Sequence, residues 1–486
     1  MQKIINELSE LENKKVAIIG AGKSGLAVAK LLLSLGATLT INDKKSEEEI
    51  LKDIEQLKEF QSFERFKIIG GGHPPEAFED AEVVVVSPGV PLSTPSIVSA
   101  IYKGIPVIGE IELSWQILNL VNPEVKTVGI TGSNGKSTTS TLVYEFLRKD
   151  GKRVCLAGNI GYPMADAVLK ILNKQLDIEY LVLELSSFQL EGIKNFKPEL
   201  ATILNITRDH MDRYCQMKEY IEAKAKIFQN QTGDDYLVLN MDDKNTVAVI
   251  EYLRNVYLKK GKLPQIFYFS RFQRVYGAYL KDNEVRFNPR EEIPQSIFSE
   301  MENTVLPVST FKIKGVHNIE NIMAAALLAL CAGCRGESIK EVVKEFPGLP
   351  HRMEFVREIN GVVYVNDSKG TNVDAVAKSL ESFPDNVILI AGGRDKDGDF
   401  SQLREIVKKK VKALVLIGEA KQKIADALGD LLPYYFENDM KSAVLKAKEI
   451  ASEGDVVLLS PGCASFDMFR NFEHRGEVFK DIVNSL

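Results

Sequence analysis

The stretch that decides the fold is KTVGITGSNGKSTTSTL, residues 126–142. An apolar, β-branched run at 126–131 stops at a Gly-Ser-Asn-Gly turn, and an amphipathic run at 142–149 follows. This order predicts a strand, a tight loop and a helix. Glycines in such a loop let backbone N–H groups approach phosphate oxygens, and the helix N-terminus adds positive potential. The stretch therefore predicts a phosphate-binding loop.

Side chains of the loop support nucleotide binding. Lys136 can reach the β- and γ-phosphates, and a hydroxyl of Ser137 or Thr138 can ligate Mg²⁺. The full G-x-x-x-x-G-K-[ST] pattern is not met, because Ile130 stands where the first glycine belongs. A glycine-rich turn that only caps a helix is the alternative interpretation. The preceding strand, the lysine and the hydroxyl run favour the nucleotide site.

Length and composition limit the class of protein. At ~150 residues per domain, the chain length corresponds to about three domains. Hydrophobic residues make up 45% of the chain, and the net charge of −6 without a basic block argues against a nucleic-acid partner. Residues 1–7 lack the apolar segment of a signal peptide, and no apolar run reaches ~18 residues. We expect a soluble, cytoplasmic protein with no membrane partner.

The five cysteines do not predict a disulfide framework in a chain of this length. Cys331 and Cys334 form a C-x-x-C pair, but they lie at the end of an apolar, alanine-rich helix that stops at Gly333. No second pair and no neighbouring histidines complete a metal site in the sequence. We expect these two cysteines to pack in a hydrophobic core.

A second glycine motif lies near the start of the chain. The strand pattern at 15–19 leads into GAGKSG at 20–25 and a helix, and the next strand ends at Asp43. This is the G-x-G-x-x-G fingerprint of a βαβ unit that binds a diphosphate at a helix N-terminus. Alone it is weak evidence for NAD. Lys44 and Lys45 would add positive charge beside the acidic residue.

The first domain is predicted to contain one more strand whose C-terminal end faces the ligand. An apolar strand at 82–86 breaks into Ser87-Pro88-Gly89, where a parallel sheet binds its ligands. We place the end of this domain near Leu118, before the Asn122-Pro123 break.

Two polar residues at strand ends mark the central segment. Glu184 interrupts an apolar strand, and a buried carboxylate of this kind needs a cation nearby. The strand at 201–207 delivers His210 at its C-terminal end. A lone histidine is more often structural than a ligand. Glu184, His210 and Lys136 fall at or near strand ends, which is the edge where a parallel sheet binds its ligands. This coincidence favours a metal site over a purely structural His210.

Other parts of the central segment carry sequence signals that are less specific for a function. By spacing alone, Lys224 and Lys226 belong to the solvated face of a helix at 217–228. We predict β-hairpins and loops for residues 246–308. A linker at 348–352 would leave Arg352 free to reach a phosphate.

The last segment predicts a second doubly wound sheet. Strand patterns recur at 361–366, 386–391, 413–417 and 455–460, with helices between them and polar loops after them. The fold class is therefore α/β with three domains: a Rossmann-like domain at 1–118, a central P-loop ATPase-type parallel sheet at 119–349, and a Rossmann-like domain at 350–486.

Six motifs together resemble the Mur ligases of bacterial cell-wall synthesis. They are TGSNGKST (131–138), LELSSFQL (183–190), DHMDRY (209–214), LPHR (349–352), NDSK (366–369) and SPGCAS (460–465). The phosphate loop and His-Arg are typical of the wider family. The SSFQL and HMDRY segments resemble its D-glutamate-adding branch.

This resemblance implies an ATP-dependent ligase of peptidoglycan synthesis, and we expect it to act as a monomer. The γ-phosphate would pass to the carboxylate of UDP-N-acetylmuramoyl-L-alanine, and the amine of D-glutamate would attack the acyl phosphate. Phosphoryl transfer needs mainly positioning and charge neutralisation, which fits the predicted residues.

The resemblance also assigns residues to ligands. Catalytic positions would be Lys136, Glu184, His210 and Lys224, and the ligands of two Mg²⁺ ions would be Ser137, Glu184, His210 and an N6-carboxylated Lys224. ATP would contact Gly132, Asn134, Gly135, Lys136, Ser137, Thr138, Asn318, Asn321, Arg352, Asp367 and Lys369. The UDP-sugar would contact Lys23, Ser24, Asp43, Lys44, Lys45, Ser87, Gly89 and Asn159. D-Glutamate would contact Thr371, Lys396, Ser465 and Phe472.

Three other functions remain alternatives at this point. A nicotinamide dehydrogenase would explain the motif at 20–25 but not the phosphate loop, Glu184 or His210. A nucleotide sensor without catalysis would bind ATP and release no phosphate. A folyl-polyglutamate type of ligase would not call for an N-terminal UDP-binding unit.

Overall fold

The computed structural model describes residue 12 and residues 14–54, 66–211, 213–258 and 261–486. Residues 1–7 and Asp212, which entered the sequence analysis, lie outside the described residues. The described chain forms three β-sheets in an α/β arrangement, as predicted. Within these residues, none of the helices combines the length and apolar character needed to cross a bilayer.

The N-terminal sheet is parallel and has the strand order β3-β2-β1-β4-β5. Its strands are β1 (Lys15–Ile19), β2 (Thr38–Asn42), β3 (Phe66–Ile69), β4 (Val83–Val86) and β5 (Val107–Gly109), and its helices are α1 (Lys23–Ser34), α2 (Glu47–Ile54), α3 (Pro95–Tyr102) and α4 (Glu110–Val121). The order reverses between β1 and β4, so both strands end at a crevice suited to a ligand.

The central sheet has the order β14-β13-β12-β11-β10-β9-β6-β8-β7 and becomes antiparallel only at β12-β13-β14. Its strands are β6 (Lys126–Thr131), β7 (Val154–Gly158), β8 (Tyr180–Glu184), β9 (Leu200–Ile203), β10 (Tyr236–Asn240), β11 (Gln265–Ser270), β12 (Gly277–Lys281), β13 (Glu284–Asn288) and β14 (Val305–Pro307). Its helices are α5 (Lys136–Lys149), α6 (Met164–Leu172), α7 (Ser187–Glu191), α8 (Met217–Ala225), α9 (Thr246–Tyr257), α10 (Gln295–Asn303), α11 (Val316–Cys331) and α12 (Gly336–Glu345).

The C-terminal sheet has the order β15-β16-β20-β17-β18-β19, and only the β15-β16 pair is antiparallel. Its strands are β15 (Glu354–Ile359), β16 (Val362–Asn366), β17 (Val387–Gly392), β18 (Val411–Ile417), β19 (Tyr434–Phe436) and β20 (Val456–Leu459), and its helices are α13 (Val373–Glu381), α14 (Arg404–Lys410), α15 (Lys421–Leu428), α16 (Met440–Ile450) and α17 (Phe472–Asn484).

The prediction for residues 246–308 is wrong in part. The hairpin β12-β13 is present, but α9 and α10 flank the strands of this region. In α9, Val249, Leu253 and Tyr257 are all buried, and their spacing of four residues is the spacing of one helix face. The charged and aromatic residues between them obscured the helical periodicity in the sequence.

Helix α11 is the apolar helix predicted before Gly333. It is buried along almost its whole length, and it packs in one core with the inner face of α5. Cys331 and Cys334 are both buried in that core, as predicted. Burial in apolar surroundings raises the pKa of the Cys331 thiol, which keeps it protonated and unreactive.

Helix α4 joins the N-terminal sheet to the central sheet, and it spans Leu118. The fully buried carboxylate of Glu112 accepts backbone N–H bonds from Lys194 at 2.8 Å, Asn195 at 2.9 Å and Phe196 at 2.9 Å. These donors belong to the central domain, so Glu112 fixes one domain against the other.

We predict that Glu112→Ala lowers the free energy of unfolding by about 3 kcal/mol, because the buried N–H group of Phe196 and the N–H groups of Lys194 and Asn195 lose their carboxylate acceptor. The midpoint of thermal unfolding, followed by calorimetry, measures the loss. The matched control is Glu124→Ala at an exposed position, which should change stability by less than ~0.5 kcal/mol. Equal midpoints for the two variants would contradict the anchoring role of Glu112.

Candidate functional site

The phosphate loop connects β6 to α5 at the middle of the central sheet, where β6 is flanked by β8 and β9. Helix α5 begins at Lys136, so the hydroxyl residues after it are helical. Gly135 caps the helix with φ +84°, a left-handed conformation that favours glycine. Asn205 fixes the loop in place, since its Oδ1 accepts a hydrogen bond from the backbone N–H of Asn134 at 2.8 Å. The helix N-terminus is thus presented at the sheet edge.

Two lysines meet at this loop, the buried Lys224 and the partly buried Lys136. Lys136 and Lys224 both donate to the carbonyl oxygen of Gly132, at 2.8 and 2.9 Å. The prediction of a solvated face is wrong for Lys224, which is 1% exposed. Its Nζ lies 4.5 Å from the centroid of the Tyr220 ring. Burial, and then the neighbouring Lys136, lower the pKa of Lys224 far below its usual range, which favours the neutral amine.

Glu184 is the last residue of β8 and is also 1% exposed. Its Oε1 accepts a hydrogen bond from the side chain of Asn159 at 2.7 Å. Its Oε2 is buried and has no hydrogen-bond partner among the described residues. A buried carboxylate oxygen without a donor is costly, so this atom is suited to a cation or a ligand.

Four basic side chains of the described chain surround Glu184. Its charge acts to raise the pKa of Lys136, Lys224, Arg352 and Lys369, against the lowering effect of burial, which dominates in each. Arg352 comes from the C-terminal domain, and its guanidinium donates to Ser137 Oγ at 2.7 Å. Basic groups from two domains therefore converge on the phosphate loop, an arrangement suited to a polyphosphate.

His210 lies at the same sheet edge with φ +58°. Burial lowers the pKa of His210 to about 4, and the opposing effect of Asp209 does not offset it. The imidazole is therefore neutral near pH 7 and keeps a lone pair for a ligand. Its ring packs edge-on against Phe188, with a centroid distance of 4.8 Å.

A metal ion fits these residues only with help from a ligand. Within the described ranges, no three His, Cys, Asp or Glu side chains gather closely enough to hold one. Glu184 with its unpaired oxygen and the Ser137 hydroxyl are nevertheless the oxygen donors that Mg²⁺ prefers. Mg²⁺ usually completes its shell with water and phosphate oxygens, so the set present fits a phosphate-bound ion.

The predicted ATP residues gather at a cavity of about 80 Å³ between the central and C-terminal domains. Lining it are Asn134, Gly135, Thr138, Asn318, Asn321, Arg352, Asp367 and Lys369, whereas Gly132, Lys136 and Ser137 lie outside its lining. Burial raises the pKa of Asp367 to about 6, although hydroxyls of Ser379 and Ser460 donate to it at 2.7 and 2.8 Å. Burial lowers the pKa of Lys369 to about 8.

The predicted UDP-sugar residues line a second cavity of about 530 Å³ between the N-terminal and central domains. They are Lys23, Ser24, Asp43, Lys44, Ser87, Gly89 and Asn159. Lys45 is exposed and lies outside the cavity. The side chain of Asp43 is turned to the backbone, because it accepts the N–H of Ala21 at 2.6 Å and that of Lys45 at 3.0 Å.

The predicted D-glutamate residues are only partly brought together. Thr371 and Lys396 line a third cavity of about 630 Å³, and Lys396 Nζ lies 3.5 Å from a carboxylate oxygen of Asp209. Ser465 and Phe472 lie outside its lining. Phe472 instead packs under Lys369, whose Nζ is 3.7 Å from the ring centroid.

Hydrogen bonds connect the phosphate loop to the C-terminal domain. The side chain of Asn134 donates to Asp374 at 2.8 Å, and Asn372 donates to Asn134 Oδ1 at 3.2 Å and to Asp209 at 3.1 Å. Sequence analysis did not single out Asp374 or Asn372. The helix signal at Asn372, which caps α13, could have located the contact surface of this domain.

Several lining residues were not assigned from the sequence. Among them are Lys378, at the cavity with Arg352 and Lys369, and Gln189 and His73, at the cavity with Lys23 and Ser24. His73 follows the glycine run 70–72, a signal for a turn that a ligand can approach closely. Gln189 stands in the motif at 183–190 but carried no assignment.

The fold and the phosphate loop define a P-loop protein of three α/β domains, with cavities at the edges of its sheets. The sequence matches three family models: the Mur ligase MurD-like N-terminal domain at residues 14–109, the Mur ligase middle domain at 130–329, and the Mur ligase glutamate ligase domain at 351–463. The chain therefore belongs to the Mur ligase family.

Individual relatives extend over nearly the whole chain. The UDP-N-acetylmuramoylalanine–D-glutamate ligase of Geotalea uraniireducens is 42% identical over 479 residues, which is 98% of each chain. The enzyme of that name from Clostridioides difficile is 41% identical over 98% of this chain and 100% of its own. The MurF ligase of Thermotoga maritima, solved in complex with ADP, shares the fold with a TM-score of 0.58 at 15% identity, over 92% and 95% of the two chains. The dehydrogenase and sensor alternatives are therefore set aside.

The depressed pKa of Lys369 predicts a pH dependence of ATP binding. The free chain loses the Lys369 charge as pH rises through about 8, and bound phosphates would hold the proton to a higher pH. ATP affinity should then fall above pH 8, by up to about tenfold per pH unit. Calorimetric titration at pH 7, 8 and 9 measures this slope.

The matched control for this slope is Lys369→Arg, which stays charged over the whole range. Its ATP affinity should change less between pH 8 and 9 than that of the wild-type chain. Identical slopes for the two proteins would remove Lys369 from the phosphate site.

Proposed function

We propose that this chain joins D-glutamate to UDP-N-acetylmuramoyl-L-alanine at the expense of ATP, in the cytoplasmic synthesis of peptidoglycan precursors. The L-alanyl carboxylate would first accept the γ-phosphate, and the amine of D-glutamate would then displace phosphate from the acyl phosphate. The names of the relatives at about 40% identity support the choice of substrates.

The observation that carries this proposal is the group of basic side chains around Glu184. Lys136, Lys224, Arg352 and Lys369 are arranged about this one carboxylate at the end of β8, next to the phosphate-binding loop. A migrating phosphoryl group carries its charge on equatorial oxygens, and fixed cations in a dry site stabilise that charge without reorganisation.

The three cavities suggest a division of labour among the domains. The cavity with Lys23 and Ser24 would hold the UDP-sugar, so that its peptide end points toward Asn159 and Glu184. The cavity with Arg352 and Lys369 would hold ATP. Lys396, on the third cavity, is a suitable partner for a carboxylate of D-glutamate. Reacting groups from all three would then meet at the central sheet edge.

Each protein group has a definable role in this scheme. Lys136 would hold the β- and γ-phosphates, and Arg352 would follow the charge of the transferred group from the opposite domain. Glu184 and Ser137 would hold one Mg²⁺ and the neutral His210 would serve a second. Mg²⁺, when bound, would supply charge neutralisation for the phosphate oxygens.

We further propose that Lys224 acts as its N6-carboxylated form. Carbamate formation requires a neutral amine, and burial next to Lys136 lowers the pKa of Lys224 in the required direction. The modification would convert this buried neutral amine into an anion among basic groups. This change would create an attraction between Lys224 and Lys136 and add oxygen donors near Glu184.

Phosphate release is the direct test of the reaction. ATP and UDP-N-acetylmuramoyl-L-alanine should be offered with D-glutamate, L-glutamate, L-lysine or diaminopimelate in turn, and only D-glutamate should give rapid turnover. Lys136→Ala should abolish turnover and leave the affinity for the UDP-sugar nearly unchanged. Turnover that is no faster with D-glutamate than with the others would refute the substrate assignment.

The role of Lys224 predicts a specific rescue. Lys224→Ala should be nearly inactive, and a short carboxylic acid such as acetate should restore part of the turnover because it replaces the lost anion. Lys218→Ala is the matched control on the same helix, since its side chain is largely exposed and should be dispensable. A Lys224→Ala protein with normal turnover, or one without rescue and without a carbamate signal from ¹³CO₂ in the wild-type chain, would contradict this role.

A further inference from the structure

His73 lies in the UDP-sugar cavity and has a hydrogen-bonding requirement that the protein does not meet. Its Nδ1 is 2.6 Å from Asn42 Oδ1, at the end of β2. Its Nε2 is buried and has no hydrogen-bond partner among the described residues. Unpaired buried polar atoms are uncommon, so an unpaired ring nitrogen on a residue that lines a cavity points to a contact with a ligand.

The neighbours of Asn42 determine the tautomer of this ring. The amide nitrogen of Asn42 donates to the carbonyl oxygens of Ile69 and Gly72, both at 2.8 Å. Only an NH₂ group can satisfy two carbonyl oxygens, so Oδ1 of Asn42 must face His73 as an acceptor. The Nδ1 of His73 therefore carries the proton and donates. In the neutral ring, Nε2 is then an acceptor.

The surroundings of His73 keep the ring neutral. Burial, and then the charge of Lys44, lower the pKa of His73, and the weaker opposing effect of Asp43 does not reverse the shift. At pH 7 to 8 the ring therefore presents a lone pair at Nε2 and no second proton. A ligand atom that meets this nitrogen must be a hydrogen-bond donor.

The position of His73 in the cavity corresponds to the base of a nucleotide. The diphosphate belongs at the N-terminus of α1 near Lys23, and the ribose belongs at the end of β2 near Asp43. His73 follows β3, the next strand outward, and the backbone N–H of Gly72 is bonded to the carbonyl oxygen of Asp43 at 3.3 Å. The reacting end of the substrate must point the other way, toward Glu184. The base is the part left for His73.

We propose that His73 selects the base of the nucleotide substrate, with Nε2 accepting the N3–H of uracil. Cytosine has an acceptor at N3, so two lone pairs would face each other and a cytidine nucleotide would be rejected. This assignment rests on the proposed function only in that the cavity holds a nucleoside diphosphate sugar. It makes His73 a specificity-determining residue for that ligand.

The test compares the affinities of the wild-type chain and its variants for three nucleotides. The affinities are measured by titration calorimetry on the full chain. The ligands are UDP, CDP and N3-methyl-UDP, which lacks the N3–H. The wild-type chain should bind UDP about 10-fold or more tightly than either analogue, because the analogues leave Nε2 unpaired. His73→Phe should bind UDP about 10-fold more weakly and should bind all three ligands almost equally.

Lys23→Ala is the matched control, because it affects the diphosphate that all three ligands share. It should weaken binding of the three by one common factor and keep the preference for UDP. ATP titration of His73→Phe checks that the chain is folded, since the ATP cavity lies in other domains. The comparison of ligands on the wild-type chain needs no variant at all.

The outcomes separate this inference from the proposed function. If His73→Phe keeps the wild-type preference, or if the wild-type chain binds UDP and N3-methyl-UDP equally, His73 does not select the base. Neither of those results would contradict the proposed ligase reaction. Failure of the wild-type chain to bind UDP would instead overturn the assignment of the cavity, and with it both proposals.

Discussion

The crowding of basic side chains at the phosphate loop is the constraint on which the site depends. Lys136 and Lys224 share one carbonyl oxygen, and Arg352 and Lys369 approach from another domain. Burial penalises each of these charges, as the lowered pKa values of all four show. Glu184 is the carboxylate common to them, and it offsets only part of that penalty. The positive charge that Glu184 leaves uncompensated favours the binding of a polyanion.

The position of this group follows from the topology of the central sheet. Strand β6 lies between β8 and β9, so the loop, Glu184 and the segment before His210 leave the sheet at one edge. Residues far apart in sequence thereby become neighbours without any local contact between them. The same rule of parallel sheets places Ser87 beside Lys23 in the N-terminal domain, and Lys396 beside Thr371 in the C-terminal domain.

Sequence reasoning worked where a residue's role depends on its own strand or loop. The phosphate loop, the glycine motif at 20–25 and the strand that ends at Glu184 could all be located from local pattern. Helix α9 and the burial of Lys224 could not. Spacing shows which residues of a helix share a face, but it does not show that another element covers a face that carries lysines. His73 and Asp374 were missed for a related reason, since their partners lie on other strands or in another domain.

The bonds from Asn134 to Asp374 and from Asn372 to Asp209 also have a kinetic consequence. They lie beside a cavity of about 80 Å³, which is well below the ~300 Å³ of typical small-molecule sites. A nucleotide that needs more room than this would bind only to molecules in which these bonds are broken and the C-terminal domain has moved away. The observed affinity for a nucleotide is then the intrinsic affinity multiplied by the fraction of open molecules. Substitutions at this contact, distant from any bound phosphate, would change how fast and how tightly the chain captures its nucleotide.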